Sequence, residues 1–160
     1  MMIPHYQISP VGYINKENGS FRIEIQKEYV PALSCLDEFS HVQVVWWAHL
    51  TDKPENRQML EAGKLFTKGP SSMGVFATRS PLRPNPVMIS IIKVACTDIE
   101  NGVINTPFID AEEGSPVLDI KPLYPMDRVK NCKGPRWSDD WPQWQEEVAD
   151  FEWGTVMNVY

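Results

Sequence analysis

The sequence predicts a mainly β protein, and two kinds of pattern indicate it. Short apolar segments rich in β-branched and aromatic residues recur along the 160-residue chain. Two of the connections between them contain Asn-Gly, at Asn18–Gly19 and at Asn101–Gly102. This pair favours tight hairpin turns because both residues tolerate positive φ. Several short strands joined in this way predict a barrel or a sandwich rather than alternating β and α units.

The first half of the chain contains three predicted strands. Residues 10–14 and 21–25 flank the first Asn-Gly turn, and the second of these segments alternates apolar with charged side chains. Residues 42–49 are rich in valine and tryptophan, which indicates a largely buried strand. The polar stretch 51–72 predicts a long loop, typical of a functional segment, with a short helix over 55–65.

The second half begins with one long predicted strand over 87–98, which the second Asn-Gly turn reverses into a strand over 103–109. From about residue 137 the chain becomes rich in tryptophan. Ser138 is a candidate cap for a C-terminal helix that has Pro142 in its first turn and one apolar face, made of Trp141, Trp144, Val148 and Phe151. We therefore expect a single domain over 1–160, with this helical tail packed on the β structure or on a partner chain.

Composition limits the classes of partner and metal site. Cys35, Cys96 and Cys132 stand far apart without a close Cys or His, which argues against a disulfide framework and a zinc site. Three histidines build no convincing metal site either. The N-terminus lacks the basic and apolar regions of a signal peptide, and no apolar run approaches a membrane span. We expect a soluble protein of the cytoplasm.

The charge pattern counts against strong unaided binding of nucleic acid. The formal net charge is −6 and the sequence pI is about 5.0, whereas phosphate neutralisation usually needs a basic excess. One local basic patch remains as a candidate, built from Lys53, Arg57, Lys64, Lys68, Arg79 and Arg83. No Gly-x-Gly-x-x-Gly follows a strand, so the fingerprint of Rossmann-type cofactor sites is missing.

The segment 71–90, SSMGVFATRSPLRPNPVMIS, is the most informative part of the chain. Its three prolines fix their own φ and hold the preceding residues extended, which makes the connector stiff. A stiff connector lowers the entropy cost of ordering Arg79 and Arg83 around an anion or a carboxylate. The alternative is structural, because arginines in such a connector also cap carbonyls or pair with acids.

Three blocks of sequence, in one order, point to a known family. They are LDEFSHVQVVWWAH at 36–49, GVFATRSPLRPNP at 74–86 and GSPVLDIKP at 114–122. Together they resemble the tRNA adenine N6-methyltransferase family, the TrmO or TsaA-like proteins, over most of the chain up to Tyr124. The resemblance implies a compact β-barrel, S-adenosylmethionine as cofactor, a homodimer, and a modified adenine of tRNA as the methyl acceptor.

The resemblance also implies a set of cofactor-binding residues. Arg79 belongs to the pocket, where a guanidinium suits the methionyl carboxylate because its donors match two oxygens. His49 lies next to the cofactor, Leu50 serves through its backbone, and Ile89 makes an apolar contact. The acidic turn contributes Asp110, Ala111, Glu112 and Glu113, whose carboxylates suit ribose hydroxyls or the methionyl ammonium.

Each of these assignments has a plainer alternative. His49 at a strand end is also typical of a structural histidine, and 110–113 of a solvated acidic loop. Asp119 and Lys121 form either a buried ion pair or part of the catalytic machinery. The catalytic base is not identified; His49 and Asp119 are candidates. Six tryptophans offer either nucleobase stacking or, as we expect for most of them, core packing.

Several departures from the family pattern keep other functions open. Met88 stands where the family has a glycine, and Glu113 where it has an aspartate. The loop 15–20 is short where many members have a longer cofactor-contacting loop, so one wall of the pocket is missing or comes from another chain. Bacterial members carry a further C-terminal domain, which we do not expect in this protein. The alternatives are methylation of a small molecule and a non-catalytic S-adenosylmethionine-binding module.

Overall fold

A computed structural model describes residues 6–158 of the chain. Its strands are β1 (Gly12–Glu17), β2 (Ser20–Ile25), β3 (His41–Trp47), β4 (Glu61–Ala62), β5 (Met73–Gly74), β6 (Val87–Lys93), β7 (Cys96–Asp98), β8 (Val103–Thr106) and β9 (Pro116–Pro122). A single α-helical turn, α1, covers Pro54–Arg57. Short 3₁₀ helices cover Lys27–Leu33, Leu36–Glu38, His49–Thr51, Val75–Ala77, Pro125–Asp127, Arg136–Ser138, Gln145–Glu147 and Trp153–Thr155.

The chain divides into two compact units, each made of two segments. The first unit contains the chain up to Thr51 together with Pro86–Pro125, and the second contains Asp52–Asn85 together with the chain from Met126 onward. The first unit holds one seven-stranded antiparallel sheet in the order β6-β3-β9-β1-β2-β8-β7. Its core is apolar and consists of Ile14, Ile23, Ile25, Leu33, Val42, Val44, Trp46, Ala48, Ile92, Ile104, Ile109 and Val117. The prediction of a mainly β protein is confirmed.

Both Asn-Gly pairs lie in hairpin turns, as predicted. Asn18 and Gly19 join β1 to β2 with φ values of 48° and 83°, the left-handed region that this pair tolerates. Gly102 has φ 71° and ends the four-residue connection between β7 and β8. Hydrogen bonds from the side chain and the backbone of Asn101 hold the pKa of Asp98 below its ordinary value.

The predicted long strand over 87–98 is broken between β6 and β7. The N–H of Val94 donates to the carbonyl of Ser40 at 2.9 Å, whereas the N–H of Ala95 donates to the carbonyl of Asn105 at 2.8 Å. These two carbonyls belong to opposite sides of the sheet, so the chain passes from one outer strand to the other within two residues.

This short connection requires the sheet to be rolled. In a flat seven-stranded sheet the outer strands would lie about 29 Å apart, at ~4.8 Å per strand. The three Cα steps from Lys93 to Cys96 span at most about 11 Å. The two outer strands nevertheless share no hydrogen-bonded ladder among the described residues, so the predicted closed barrel is not confirmed.

The second unit contains little regular structure. The helix predicted over 55–65 is limited to α1, because Glu61–Ala62 pairs with Met73–Gly74 instead and Leu60 accepts a hydrogen bond from Val75. No helix in the described residues is long and apolar enough to cross a membrane.

The predicted C-terminal helix is wrong. Residues 136–155 contain three separate 3₁₀ turns. The hydroxyl of Ser138 donates back to the carbonyl of Pro135 at 2.8 Å, so it does not cap a following N–H group. Trp144 then adopts extended backbone, with φ −128° and ψ 149°, which interrupts helical geometry.

The tryptophans of this tail form an aromatic cluster with Phe66. Phe66 stacks on Trp137 with ring centroids 5.0 Å apart. Trp141 meets Phe66 edge-on at 4.9 Å and Trp153 at 5.4 Å. These three tryptophans therefore pack against other aromatic rings, Trp46 lies in the buried core of the first unit, and Trp144 is 66% exposed.

The turn glycines provide a test of the fold. A Cβ at Gly102 would meet Val30 Cγ2 at 2.7 Å and the Ile25 carbonyl oxygen at 3.1 Å, whereas a Cβ at Gly19 would meet nothing within 4 Å. Both residues have positive φ, so Gly19→Ala measures the cost of the backbone conformation alone. We expect Gly19→Ala to lower the free energy of unfolding by about 1 kcal/mol and Gly102→Ala by about 1–3 kcal/mol more. Urea unfolding measures both values, and equal losses would contradict the packing at Gly102.

Candidate functional site

Three strand ends lie together at one end of the sheet in the first unit. β3 pairs along its length with β6 and β9, and its last residue, Trp47, stands opposite Val87. Just beyond it the N–H of Ala48 donates to the carbonyl of Pro86 at 2.9 Å. The end of β3 is thereby fixed beside the starts of β6 and β9, and the residues that follow β3 lie next to the segment that precedes β9.

His49 lies where this geometry places it, against Gly114 and Ser115. The Oγ of Ser115 is 3.4 Å from Nδ1 of His49, and a Cβ on Gly114 would lie 3.9 Å from Nε2 of the same ring. Ser115 is fully buried, whereas His49 is half-buried. The predicted neighbours His49 and the acidic turn are therefore brought together, through two residues that follow the turn.

The acidic turn is held by its backbone and exposes its carboxylates. The N–H of Gly114 donates to the carbonyl of Ile14 at 2.7 Å, and the N–H of Ser115 donates to the carbonyl of Glu112 at 3.1 Å. Ala111 packs against the core. The side chains of Asp110, Glu112 and Glu113 are exposed. The turn thus presents three acids from a fixed backbone.

The short β1–β2 hairpin lies near one of these acids. Nζ of Lys16 is 3.5 Å from Oε2 of Glu112, and both side chains are exposed. Because β1 runs to Glu17 and β2 starts at Ser20, the loop between them is reduced to two residues. The structure agrees with the expectation that no long loop stands here.

Ile89 and Leu50 present apolar surface from the first unit. Leu50 is 61% exposed in the turn after β3, and Ile89 is 55% exposed on β6. Val45 on β3 stands opposite Ile89 on β6 and, across its other edge, opposite Asp119 on β9. These three residues therefore share one face of the sheet.

Asp119 pairs with Lys121 on that face. The distance between Oδ2 and Nζ is 2.6 Å, and the two side chains are about half exposed. The ion pair between Asp119 and Lys121 exists, but it is not buried as the sequence predicted. Residues two apart on a strand point to the same side, and here this is the outer side of the sheet. An exposed pair of this kind contributes little to stability.

The proline-rich connector in the second unit is organised by one carbonyl. The carbonyl of Val75 accepts hydrogen bonds from the N–H and the hydroxyl of Thr78, at 3.1 and 2.8 Å, and from Nη2 of Arg83 at 3.1 Å. Nη1 of Arg83 lies 3.4 Å from the carbonyl of Thr78. Arg83 therefore caps carbonyls of its own connector, which is the structural alternative for this residue.

Arg79 differs from Arg83 in its surroundings. Its side chain is exposed, and its guanidinium makes no hydrogen bond or ion pair with any described residue. The backbone on its C-terminal side is fixed, because the N–H of Ser80 donates to Thr78 Oγ1 and the N–H of Leu82 donates to Ser80 Oγ. The connector thus presents one unpaired cation from an ordered backbone.

The predicted basic patch is partly neutralised, because two of its six cations pair with acids. Arg57 donates two hydrogen bonds to Asp52, at 2.5 and 3.0 Å, and this pairing raises the pKa of its guanidinium. Lys68 lies 2.6 Å from Asp140 and lowers the pKa of that carboxyl. With Arg83 committed to carbonyls, at least three of the six cations of the patch already have partners among the described residues. Within residues 6–158 no group of His, Cys, Asp and Glu side chains suits a metal ion.

Comparison with known proteins identifies the family. Residues 8–127 match the family described as the tRNA-methyltransferase O N-terminal domain. The chain belongs to this family. A relative from Pyrococcus horikoshii, named a probable S-adenosyl-L-methionine-binding protein, is 40% identical over 121 residues, which are 76% of this chain and 85% of that protein.

Longer relatives share the same domain. The tRNA (adenine(37)-N6)-methyltransferase of Escherichia coli K12 is 32% identical, and the match covers 72% of this chain but 49% of the E. coli protein. The crystal structure of TrmO from Pseudomonas aeruginosa superimposes with a TM-score of 0.61 at 26% identity, covering 81% of this chain and 62% of that chain. The chain therefore spans about half of the E. coli relative and under two thirds of the solved one.

Sequence analysis missed two residues that organise this tRNA-methyltransferase O domain. Ser115 contacts His49 across 66 positions of sequence, and no local pattern signals such a contact. Thr78 fixes the connector through bonds on both sides of its hydroxyl. Both residues lie inside sequence blocks quoted above, Thr78 in 74–86 and Ser115 in 114–122. The sequence does not show which groups their hydroxyls contact.

The two connector arginines provide a matched test. Arg83→Met removes the donors to two carbonyls, so we expect the free energy of unfolding to fall by about 1 kcal/mol. Arg79→Met removes no recorded contact and is expected to stay within about 0.5 kcal/mol of the parent. Thermal or urea unfolding of both variants measures the difference. A loss at Arg79 as large as that at Arg83 would contradict the assignment of Arg79 as the unpaired cation.

Proposed function

We propose that this chain is an S-adenosylmethionine-dependent methyltransferase. Its cofactor-binding residues in this proposal are His49, Leu50, Arg79, Ile89, Asp110, Ala111, Glu112 and Glu113. The observation that carries the proposal is the guanidinium of Arg79, which has no partner among residues 6–158 and stands on an ordered connector, in a chain of the tRNA-methyltransferase O family. An arginine without a protein partner, held by a stiff backbone, suits an anionic ligand group.

The chemistry of these side chains fits the cofactor part by part. Arg79 offers two parallel N–H donors to a carboxylate. The carboxylates of Asp110, Glu112 and Glu113 suit an ammonium group and hydroxyl groups. The exposed apolar side chain of Ile89 suits the face of a nucleobase, and Leu50 is assigned through its backbone. The names of relatives in this family, S-adenosyl-L-methionine-binding proteins and a tRNA methyltransferase, support the same ligand.

The protein contributes binding and orientation to the reaction. S-adenosylmethionine, when bound, supplies an activated methyl group to a nucleophilic nitrogen of the acceptor. The fixed backbones of the acidic turn and of the connector hold their charged side chains in place before the ligand arrives, which lowers the entropy cost of productive alignment. Asp119 is less suited to serve as the base, since Lys121 already pairs with its carboxylate.

The proposed acceptor is the N6 of a modified adenine in tRNA. The E. coli relative is named for this activity. Ten of the 15 lysines and arginines lie in the second unit, but so do ten of the 21 aspartates and glutamates, so the formal net charge of this unit is zero. Partners already neutralise Arg57 and Lys68 there, and the formal net charge of the chain is −6. We infer that this chain alone binds tRNA weakly.

A small-molecule acceptor is the second candidate, as is a binding module without turnover. The observation that favours both is the match to the archaeal relative, 85% of which is covered and which is named only for S-adenosylmethionine binding. The partial neutralisation of the basic patch by Asp52 and Asp140 favours them as well. Methyl transfer to a defined acceptor separates the first of these functions from the second.

Two further features of the proposal concern architecture. We infer that the rolled sheet is part of a β-barrel, on the strength of the two-residue link between its outer strands. We also infer a homodimer in which a second copy supplies the pocket wall that the short β1–β2 hairpin leaves out. Sedimentation at equilibrium tests the homodimer directly.

Calorimetric titration with S-adenosylmethionine tests the cofactor assignment. We expect saturable binding by the parent and a 10- to 100-fold weaker affinity of Arg79→Met, because a charge-assisted bidentate pair is worth about 1.5–3 kcal/mol. Arg128→Met is the matched control, since it removes an exposed arginine from the same unit and should leave the affinity unchanged. Equal affinities of the two variants would exclude Arg79 from the pocket, and no binding by the parent would end the methyltransferase proposal.

The proposed tRNA acceptor is tested by measuring the modified nucleosides of cellular tRNA. Transfer RNA from cells that lack the gene should lose one methylated adenosine, and the purified protein with labelled cofactor should restore it. An unchanged adenosine profile in these cells would exclude tRNA as the acceptor and leave the small-molecule and binding-module candidates.

A further inference from the structure

The hydroxyl of Ser115 is buried and has one partner. Ser115 has no exposed surface, and its Oγ lies 3.4 Å from Nδ1 of His49. No other hydrogen bond of this hydroxyl exists within residues 6–158. The backbone groups of Ser115 are occupied elsewhere, by the carbonyl of Glu112 and the N–H of Ile14.

The position of one proton follows from this arrangement. A buried hydroxyl whose hydrogen has no acceptor destabilises the folded protein by the full desolvation penalty of that group. Among residues 6–158 the partner of the Ser115 hydroxyl is Nδ1 of His49, and the hydroxyl hydrogen is satisfied there if the hydroxyl is the donor, which is the direction we assign. A ring nitrogen that accepts a hydrogen bond carries no proton, and a neutral imidazole then carries its proton on Nε2.

The opposite ring nitrogen is left accessible. Nε2 faces Gly114, which has no side chain and a φ of 77° that favours glycine. A methyl group at this position would stand 3.9 Å from Nε2. His49 itself is only half-buried, and we assign Nε2–H as the part of the ring that a ligand atom reaches.

We propose that Ser115 is a positioning residue that holds His49 in the Nε2–H tautomer, so that His49 donates a hydrogen bond to an acceptor atom of the bound ligand and is not the catalytic base. The tautomer is a property of the protein alone, whereas the contact with the ligand rests on the proposed function above. A donor at this place suits a hydroxyl oxygen, a carboxylate oxygen or an unprotonated ring nitrogen of an adenosine compound.

The tautomer can be read directly by nuclear magnetic resonance. Two-bond ¹⁵N–¹H correlation spectra of the full chain, recorded at about pH 8 where histidine is neutral, distinguish protonated from unprotonated ring nitrogens. His41 provides an internal control, because Ser40 Oγ lies 3.0 Å from its Nδ1 on the exposed surface. Ser115→Ala and Ser40→Ala form the matched pair of variants.

We expect Nδ1 of His49 to show the shift of an unprotonated, hydrogen-bonded nitrogen in the parent protein. Ser115→Ala should move this signal toward the average of two exchanging tautomers, and Ser40→Ala should leave it unchanged. Ser115→Thr keeps the hydroxyl and should retain the parental signal. A protonated Nδ1 in the parent, or an unchanged His49 signal in folded Ser115→Ala, would overturn the proposal. The parental spectrum decides even if a variant fails to fold.

Ligand binding tests the donor role separately. In calorimetry with S-adenosylmethionine, His49→Gln keeps an N–H donor near the Nε2 position and should stay within about threefold of the parent affinity. His49→Leu should bind about three- to tenfold more weakly, as expected for one lost hydrogen bond. Equal affinities of the two variants would overturn the donor role. Absence of binding by the parent would instead refute the proposed function. The assignment of the His49 tautomer would then still be tested by the magnetic resonance spectra alone.

Discussion

The double pairing of β3 is the constraint on which the candidate site in the first unit depends. β3 is hydrogen-bonded to β6 along one edge and to β9 along the other, and its inner face buries Val42, Val44 and Trp46. A strand fixed in this way has no freedom of register, because a shift by one residue would expose that face. Its end therefore places His49 beside the residues that lead into β9. The site depends on the register of the sheet.

Each of the two units holds proposed cofactor-binding residues on a rigid backbone. In the first unit, backbone hydrogen bonds fix the acidic turn and leave its carboxylates exposed. In the second unit, the Val75 carbonyl collects three donors and fixes the connector around Arg79. In each case polar backbone groups are satisfied locally, so the fold does not use the side chains of Arg79, Asp110 and Glu113, which have no partner among the described residues, whereas Glu112 pairs with Lys16. This division of roles distinguishes Arg79 from Arg83, which looked equivalent in the sequence.

Local chemistry made the strands and turns predictable. Asn18–Gly19 placed the first hairpin correctly, and alternation in 21–25 placed its buried face. The break at Val94–Ala95 was not predictable, because it results from pairing with Ser40 and Asn105, which are remote in sequence. The predicted C-terminal helix was wrong for a related reason. Its apolar spacing suited a helix, but its tryptophans reach Phe66, a long-range partner that outweighs helical periodicity.

The candidate site, too, was only partly predictable from the sequence. Family resemblance supplied its residues, and the sequence alone could not say which arginine was free or what held His49. The positions of Ser115 and Thr78 depend on contacts that form only in the folded chain.

Backbone amide shifts during titration with S-adenosylhomocysteine, the product form of the proposed cofactor, test the central claim most directly. The account predicts saturable shifts at 49–50, 79, 89 and 110–115, with a common dissociation constant. Shifts confined to the tryptophan-rich residues 137–153, or no shifts at a saturating concentration, would contradict it.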